Sequence, residues 1–196
     1  MIHPLRILNV GYRSVNCYLL ITEAAKLLID VGWPNGMQEL KWRFAAQGLS
    51  VKDITHVLIT HYHMDHGAIA QEMKDKGAKL IVMESQVTCL NAQKKFIRPP
   101  MQFHEIKDEG NIVLAFNNSR VFLKSLCIKG EIIPTTGHSQ DHVTLILNGG
   151  IAFTGDLPTE NASPAGSDAF SNWQRLRKLK VKRIYPAHGV PYDLPP

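Results

Sequence analysis

Three imidazoles and one carboxylate fall within six consecutive residues, His61, His63, Asp65 and His66, inside the run Thr60-His61-Tyr62-His63-Met64-Asp65-His66-Gly67. The run follows an apolar, β-branched stretch, residues 54–59, that reads as a buried strand. It precedes Gly67-Ala68-Ile69-Ala70-Gln71-Glu72-Met73, which reads as the start of a helix. The cluster therefore sits on a strand-to-helix loop, where a rigid scaffold commonly presents a site. In an extended backbone His61 and His63 face the same side, so both rings can reach one cation. Asp65 and His66, where the chain turns away, are placed to hold a second. Imidazole with carboxylate suits zinc, and also iron, manganese, nickel or cobalt.

The rest of the chain reads as alternating strands and helices. Short apolar runs at 5–10, 15–22 and 26–30 predict three strands, the last ending at Asp30-Val31-Gly32. Met37, Leu40, Phe44 and Ala45 put an apolar face on a helix over 37–47 that Gly48 stops. A helix to Lys76 capped by Gly77, a strand at 80–83 and a helix over 84–97 follow. Further strands are expected at 103–106, 112–116, 121–128 and 131–134. Residues 143–147 and 151–154 form a hairpin around Asn148-Gly149-Gly150, and residues 181–185 a last strand. Three more candidate ligands lie beside these strand ends: His138 in a polar Gly-containing loop, Asp156 after Gly155, and His188 in Pro186-Ala187-His188-Gly189.

At 196 residues, 44% apolar and 20% charged, the chain has the makings of one globular domain, residues 1–196. No apolar run approaches the ~18 residues of a membrane span, and the opening residues lack the layout of a signal peptide. Cys17, Cys89 and Cys127 are odd in number and lack CxxC spacing, which fits a reducing cytoplasm rather than a disulfide framework. A net charge of +5 admits an anionic substrate or nucleic acid. The densest basic run, residues 175–183, interleaves apolar residues and reads as a solvated helix face leading into a strand. A small-molecule substrate is therefore expected, rather than nucleic acid or membrane.

With His61-x-His63-x-Asp65-His66, Gly137-His138, Gly155-Asp156 and Pro186-Ala187-His188-Gly189 in this order, the chain resembles the metallo-β-lactamase-fold hydrolase superfamily. Asn16-Cys17-Tyr18-Leu19-Leu20 and Leu28-Ile29-Asp30-Val31-Gly32 resemble that family's opening hairpin. The resemblance implies an α/β fold, a four-layer αββα sandwich of two mixed β-sheets flanked by helices. It implies that His61, His63 and His138 hold one divalent ion, that Asp65, His66 and His188 hold a second, and that Asp156 bridges them. Two ions, zinc first and iron or manganese as alternatives, would carry a bridging hydroxide at neutral pH. Asp65 is the carboxylate expected to orient that nucleophile and move a proton. Asp30, Thr60 and His142 are candidate partners for the ligands' other ring nitrogens; for His142 a plain strand-start hydrogen bond is an equal alternative.

Departures from the family's subgroups narrow the reading. Asp156 stands where the zinc β-lactamases generally carry another residue, which speaks against β-lactam hydrolysis. The His cluster and the Gly-His-x-x-x-His layout of residues 137–142 resemble the glyoxalase II-like thioesterases, but the chain ends eight residues after His188, without room for their C-terminal helical domain. Thr159 stands where acyl-homoserine lactonases use a tyrosine. The expected activity is hydrolysis of a small ester, thioester or lactone. The alternatives are a mononuclear iron persulfide dioxygenase and a nuclease or phosphodiesterase. Substrate choice is expected from the loops after Asp30, at 84–102 and at 157–169.

Overall fold

The strands Tyr18–Ile21, Lys79–Met83 and Val143–Leu147 are buried at nearly every position because both of their faces are covered. In the computed structural model, which describes residues 5–195, β1 (Arg6–Asn9), β2 (Tyr18–Ile21), β3 (Lys26–Ile29), β4 (His56–Leu58), β5 (Lys79–Met83) and β6 (Ile112–Leu114) form one sheet in sequence order. β1, β2 and β3 pair antiparallel, while β3 through β6 pair parallel. The second sheet has the order β11-β10-β9-β8-β7, built from β7 (Gly130–Pro134), β8 (Val143–Leu147), β9 (Ile151–Gly155), β10 (Arg183–Pro186) and β11 (Tyr192–Asp193). Only β9 and β10 run parallel in it.

The two-residue period of a strand sorts these side chains into layers. Leu19, Leu28, Val57, Leu80 and Val82 pack under Leu40 and Phe44 of α1 (Met37–Ala45) and Met73 of α2 (Ala70–Asp75). Their neighbours Leu20, Leu27, Leu58 and Ile81 turn the other way and meet Ile132, Leu145 and Phe153 of the second sheet. The outer face of that sheet, with Ile146, Ala152 and Ile184, is covered by Trp173 and Leu176 of α4 (Asp168–Lys178). The layers are helix, sheet, sheet, helix, as the family resemblance implied.

Three expected elements differ. Residues 121–128 form no strand; Ser119–Ser125 is a helix, α3, that packs on β7. Ser119, Leu123 and Leu126 are buried at helical spacing while Val121 is 74% exposed, a pattern a strand would not give. Residues 84–97 are two 3-10 segments, Glu84–Cys89 and Ala92–Phe96, instead of one helix. Gln86 is drawn inward there, its amide donating to the carbonyls of Ile59 and Asp141. Residues 103–106 join no sheet. The Asn91 side chain stands in for a neighbouring strand, bonding both the N–H and the carbonyl of Ile106.

The parallel pairs β3/β4 and β9/β10 fix where the site lies. Their C-terminal ends carry Asp30, the run from Thr60 to His66, Asp156 and His188. The two sheets are joined at this end by the Val143 N–H donating to the Thr60 carbonyl at 2.8 Å. The basic run 175–183 is the end of α4 and the entry to β10, so it sits where β10 begins, at the opposite end of the strand from His188.

Candidate metal centre

The seven sequence-predicted ligands converge into two groups. One ligand atom each from His61, His63 and His138 lies within 4.8 Å of the others, and the same holds for Asp65, His66, Asp156 and His188. Asp156 lies between the groups: its Oδ2 is 3.2 Å from His66 Nε2, 3.6 Å from His138 Nε2 and 3.8 Å from His61 Nε2. Its Oδ1 is 3.4 Å from His188 Nε2.

A buried carboxylate behind the loop orients the rings. Asp30, on the first residue past β3, adopts the left-handed conformation at φ 58°, which Asp tolerates better than most residues. Its Oδ1 accepts the Thr60 N–H at 2.7 Å, and its Oδ2 accepts the Thr60 hydroxyl at 2.9 Å and the His66 Nδ1–H at 3.0 Å. With its hydroxyl proton committed to Asp30, Thr60 accepts from His61 Nδ1 at 3.2 Å. His61 and His66 thus keep Nε2 free on the side where the donors meet. His188 is set the same way, donating from Nδ1 to the Ser14 carbonyl at 2.6 Å. Asp30 and Thr60 thus each hydrogen-bond a ring nitrogen of a candidate ligand.

His142 does something different from holding a ligating ring. Its Nε2 accepts the backbone N–H of Asp156 at 3.2 Å, and its Nδ1 faces the Thr135 hydroxyl at 2.9 Å. Burial pushes its pKa down to about 3, so the neutral acceptor form is the one present. Gly155 is what lets Asp156 sit there. At φ 51° it brings the backbone against His142 and Thr60, and a Cβ would lie 2.7 Å from His142 Nε2 and from Thr60 Oγ1.

Several residues that serve the site carry no motif of their own. Asn16 donates its N–H to the Ala187 carbonyl at 2.7 Å. Its side-chain amide donates to the carbonyls of Pro186 and Gly189 at 2.9 and 2.8 Å, and the Tyr18 hydroxyl also reaches Pro186. The opening hairpin thereby grips the His188 loop from about 170 residues away. Asp141 accepts the Tyr62 N–H at 2.7 Å and pins the loop between His61 and His63. The only sequence signal for Asn16 and Tyr18 is their place in the family-like hairpin; Asp141 has none. Tyr12 and Tyr62 are core residues, 3% and 1% exposed. His56 packs edge-on against Phe122, His104 is exposed, and His3 lies outside the described residues.

The donors fit divalent metal ions. His61 Nε2 and Asp156 Oδ1 are buried with no hydrogen-bond partner, although both are strong polar groups. His138 Nε2 and His63 Nδ1 point at each other 3.0 Å apart. Burial, reinforced by neighbouring histidines, pushes His61 well below its usual range, and burial also lowers His138 against the pull of Asp156. Both shifts favour the neutral imidazole, the form whose lone pair a cation needs. Burial works against a charge on His66 too, but Asp30 and Asp156 outweigh it and raise the ring to about pKa 10. A positive charge at His66 Nε2 is what this pair of carboxylates favours, and a divalent cation supplies more of it than a proton does.

The chain matches the family model of the metallo-beta-lactamase superfamily over residues 10–188. It is similar to a beta-lactamase-like protein 2 homolog of Caenorhabditis elegans, 26% identical over 185 residues that cover 92% of this chain and 58% of that protein. It is also similar to an atrochrysone carboxyl ACP thioesterase of Aspergillus fumigatus, 28% identical over 187 residues that cover 91% of this chain and 51% of that one. The chain thus spans a little over half the length of these curated relatives. A putative metallo-beta-lactamase from Thermotoga maritima shares the fold, with a TM-score of 0.71 at 19% identity, covering 98% of this chain and all of that one.

Proposed function

The chain belongs to the metallo-β-lactamase superfamily, and from that premise we propose that it is a metal-dependent hydrolase of a small ester, thioester or lactone, with a thioester the first choice. The observation that carries the reading is the pair of donor groups meeting at Asp156. His61, His63 and His138 would hold one divalent cation, and Asp65, His66 and His188 the other, with Asp156 serving both. Zinc suits three-histidine and mixed histidine–carboxylate sets. Such a pair of ions supplies Lewis acidity, polarising an acyl oxygen and making water a nucleophile at neutral pH.

This chain's own groups do the rest. Asp65 Oδ2 lies 3.2 Å from His188 Nε2 and 3.6 Å from His66 Nε2, beside the donors but 17% exposed. It is placed to orient a water and to take its proton, then return it to the departing thiol or alcohol. His138 and His188, 29% and 41% exposed, mark the open side where an acyl group enters. The thioesterase name of the Aspergillus fumigatus relative supports acyl transfer to water. The basic run at the far end of β10 lends nothing to a nuclease reading, and metal identity separates the hydrolase from an iron dioxygenase built on the same donors.

Among the described residues no helix is long and apolar enough to cross a membrane. Three free thiols suit the reducing cytoplasm as the place of action. The deciding experiment is elemental analysis of protein purified without chelators or a metal-binding tag, followed by a thioester, ester and lactone screen. About two zinc ions per chain with turnover is the expected result. One iron per chain with oxygen uptake on a thiol persulfide overturns the proposal.

A further inference from the structure

A cleft of about 520 Å³ opens against His138. That volume lies within the range of small-molecule sites. Its walls are the 137–140 loop, the 158–164 segment and the first turn of α4. They are held in place before any ligand arrives. Trp173 Nε1 donates to the Pro158 carbonyl at 2.7 Å, and the Ser163 hydroxyl to the Thr159 carbonyl at 2.9 Å. Ser167 caps α4 by accepting the Phe170 N–H at 3.1 Å. Gly137, at φ 127°, lies so close to the start of α4 that a Cβ would sit 2.9 Å from the Ala169 nitrogen.

The chemistry of the lining is specific. The positive end of α4 is answered from within by Asp168, whose carboxylate also accepts the Thr136 hydroxyl at 3.1 Å. Apart from the His138 ring, the formal charge on the lining is that one carboxylate. Ser139 and Gln140 lie on the wall, the Gln140 side chain exposed and the Ser139 hydroxyl turned into the protein without a partner. An arm carrying a neutral amide meets the exposed amide of Gln140, which offers it both a donor and an acceptor. An arm carrying carboxylates meets Asp168, exposed on the lining, with like charge and no lysine or arginine there to offset it.

We propose that this cleft receives the thiol arm of the thioester substrate and selects an uncharged, amide-bearing thiol over an anionic one such as glutathione. The proposal rests on the hydrolase reading for its reaction and goes beyond it in naming the substrate class. Hydrolysis adds water across the acyl C–S bond, giving a carboxylate, the free thiol and a proton.

The test compares S-acetyl-N-acetylcysteamine with S-acetylglutathione as substrates of the metal-loaded protein. Alongside, binding of the uncleavable thioethers S-ethyl-N-acetylcysteamine and S-ethylglutathione is measured by calorimetry. The expected result is at least about a tenfold preference for the neutral arm in kcat/KM and in affinity, the scale of one like-charge contact at a partly screened site. Asp168→Asn, which keeps a partner for the Thr136 hydroxyl, should narrow that preference severalfold. Ala162→Trp, on the exposed rim, should abolish binding of the neutral thioether while leaving the visible spectrum of the cobalt-substituted centre unchanged. Equal or tighter binding of the glutathione ligand, no binding of either thioether, or a preference indifferent to Asp168→Asn overturns the proposal. Selective binding of the neutral thioether without turnover of any thioester, ester or lactone supports the cleft assignment and refutes the hydrolase reading instead.

Discussion

Replacing Asp30 by Asn tests the central electrostatic argument, because it removes the charge and keeps the shape. Asp30 accepts three protons, from the Thr60 backbone, the Thr60 hydroxyl and His66 Nδ1. In Asp30→Asn the remaining oxygen serves the Thr60 N–H, and the Thr60 hydroxyl can rotate to accept from the new amide. His66 cannot adapt so simply. Its Nδ1–H would face an N–H, so the ring is driven to the other tautomer, with its proton on Nε2 where a cation would bind. Loss of an outer partner of this kind typically costs 10–100-fold in metal affinity, or about 1.4–2.8 kcal/mol. The second cobalt equivalent should weaken by that factor in chelator competition. The first, which His61, His63 and His138 would hold, should weaken by a smaller factor, since Asp30 acts on His61 only through Thr60, whose hydroxyl oxygen keeps a lone pair for the His61 Nδ1–H. Equal weakening of both equivalents, or of neither, would refute the argument.

Three further outcomes are expected. The metal-free protein should lose stability on acidification through His142: its folded pKa is depressed to about 3 while the unfolded ring titrates near 6.5, so its contribution is complete above pH 6.5 and is lost as pH falls toward 3. Urea unfolding at pH 7, 6 and 5 should show His142→Gln with a shallower acid slope than wild type by up to ~1.4 kcal/mol per pH unit, and identical slopes would rule this out. Gly155→Ala should lower stability by about 1–3 kcal/mol and reduce metal occupancy, because the new Cβ has only the space that His142 and Thr60 already fill; normal zinc content by elemental analysis would contradict it. Asp65→Ala and His63→Ala should each abolish turnover with circular dichroism unchanged, and near-wild-type kcat in either would show the site to be misassigned.

Much of the fold was written locally. The apolar runs at β2, β3, β5 and β8 state their own period and length, and the turn at Asn148-Gly149-Gly150 states its hairpin. Errors arose where a side chain's partner is distant in sequence. Residues 121–128 are rich enough in β-branched and aromatic types to pass for a strand, and only packing of Leu123 and Leu126 reveals the helix. The segment 84–97 has helical composition, yet Gln86 spends its amide on carbonyls 27 and 55 residues away. Tertiary hydrogen bonds outweighed propensity there.

The sequence by itself determined which residues are donors and that they lie at strand ends, because ligand chemistry and strand periodicity are properties of neighbouring residues. Tertiary structure decided how those donors are aimed. Asp30 sets the tautomers of His61 and His66 across 30 to 36 residues, Asn16 grips the His188 loop across some 170, and His142 seats the backbone of Asp156. It also decided that the 137–140 loop and the start of α4 meet to wall a cleft that carries one carboxylate. A hydrogen bond or a field acts through space over a few ångströms, and only the folded chain brings those atoms within that distance.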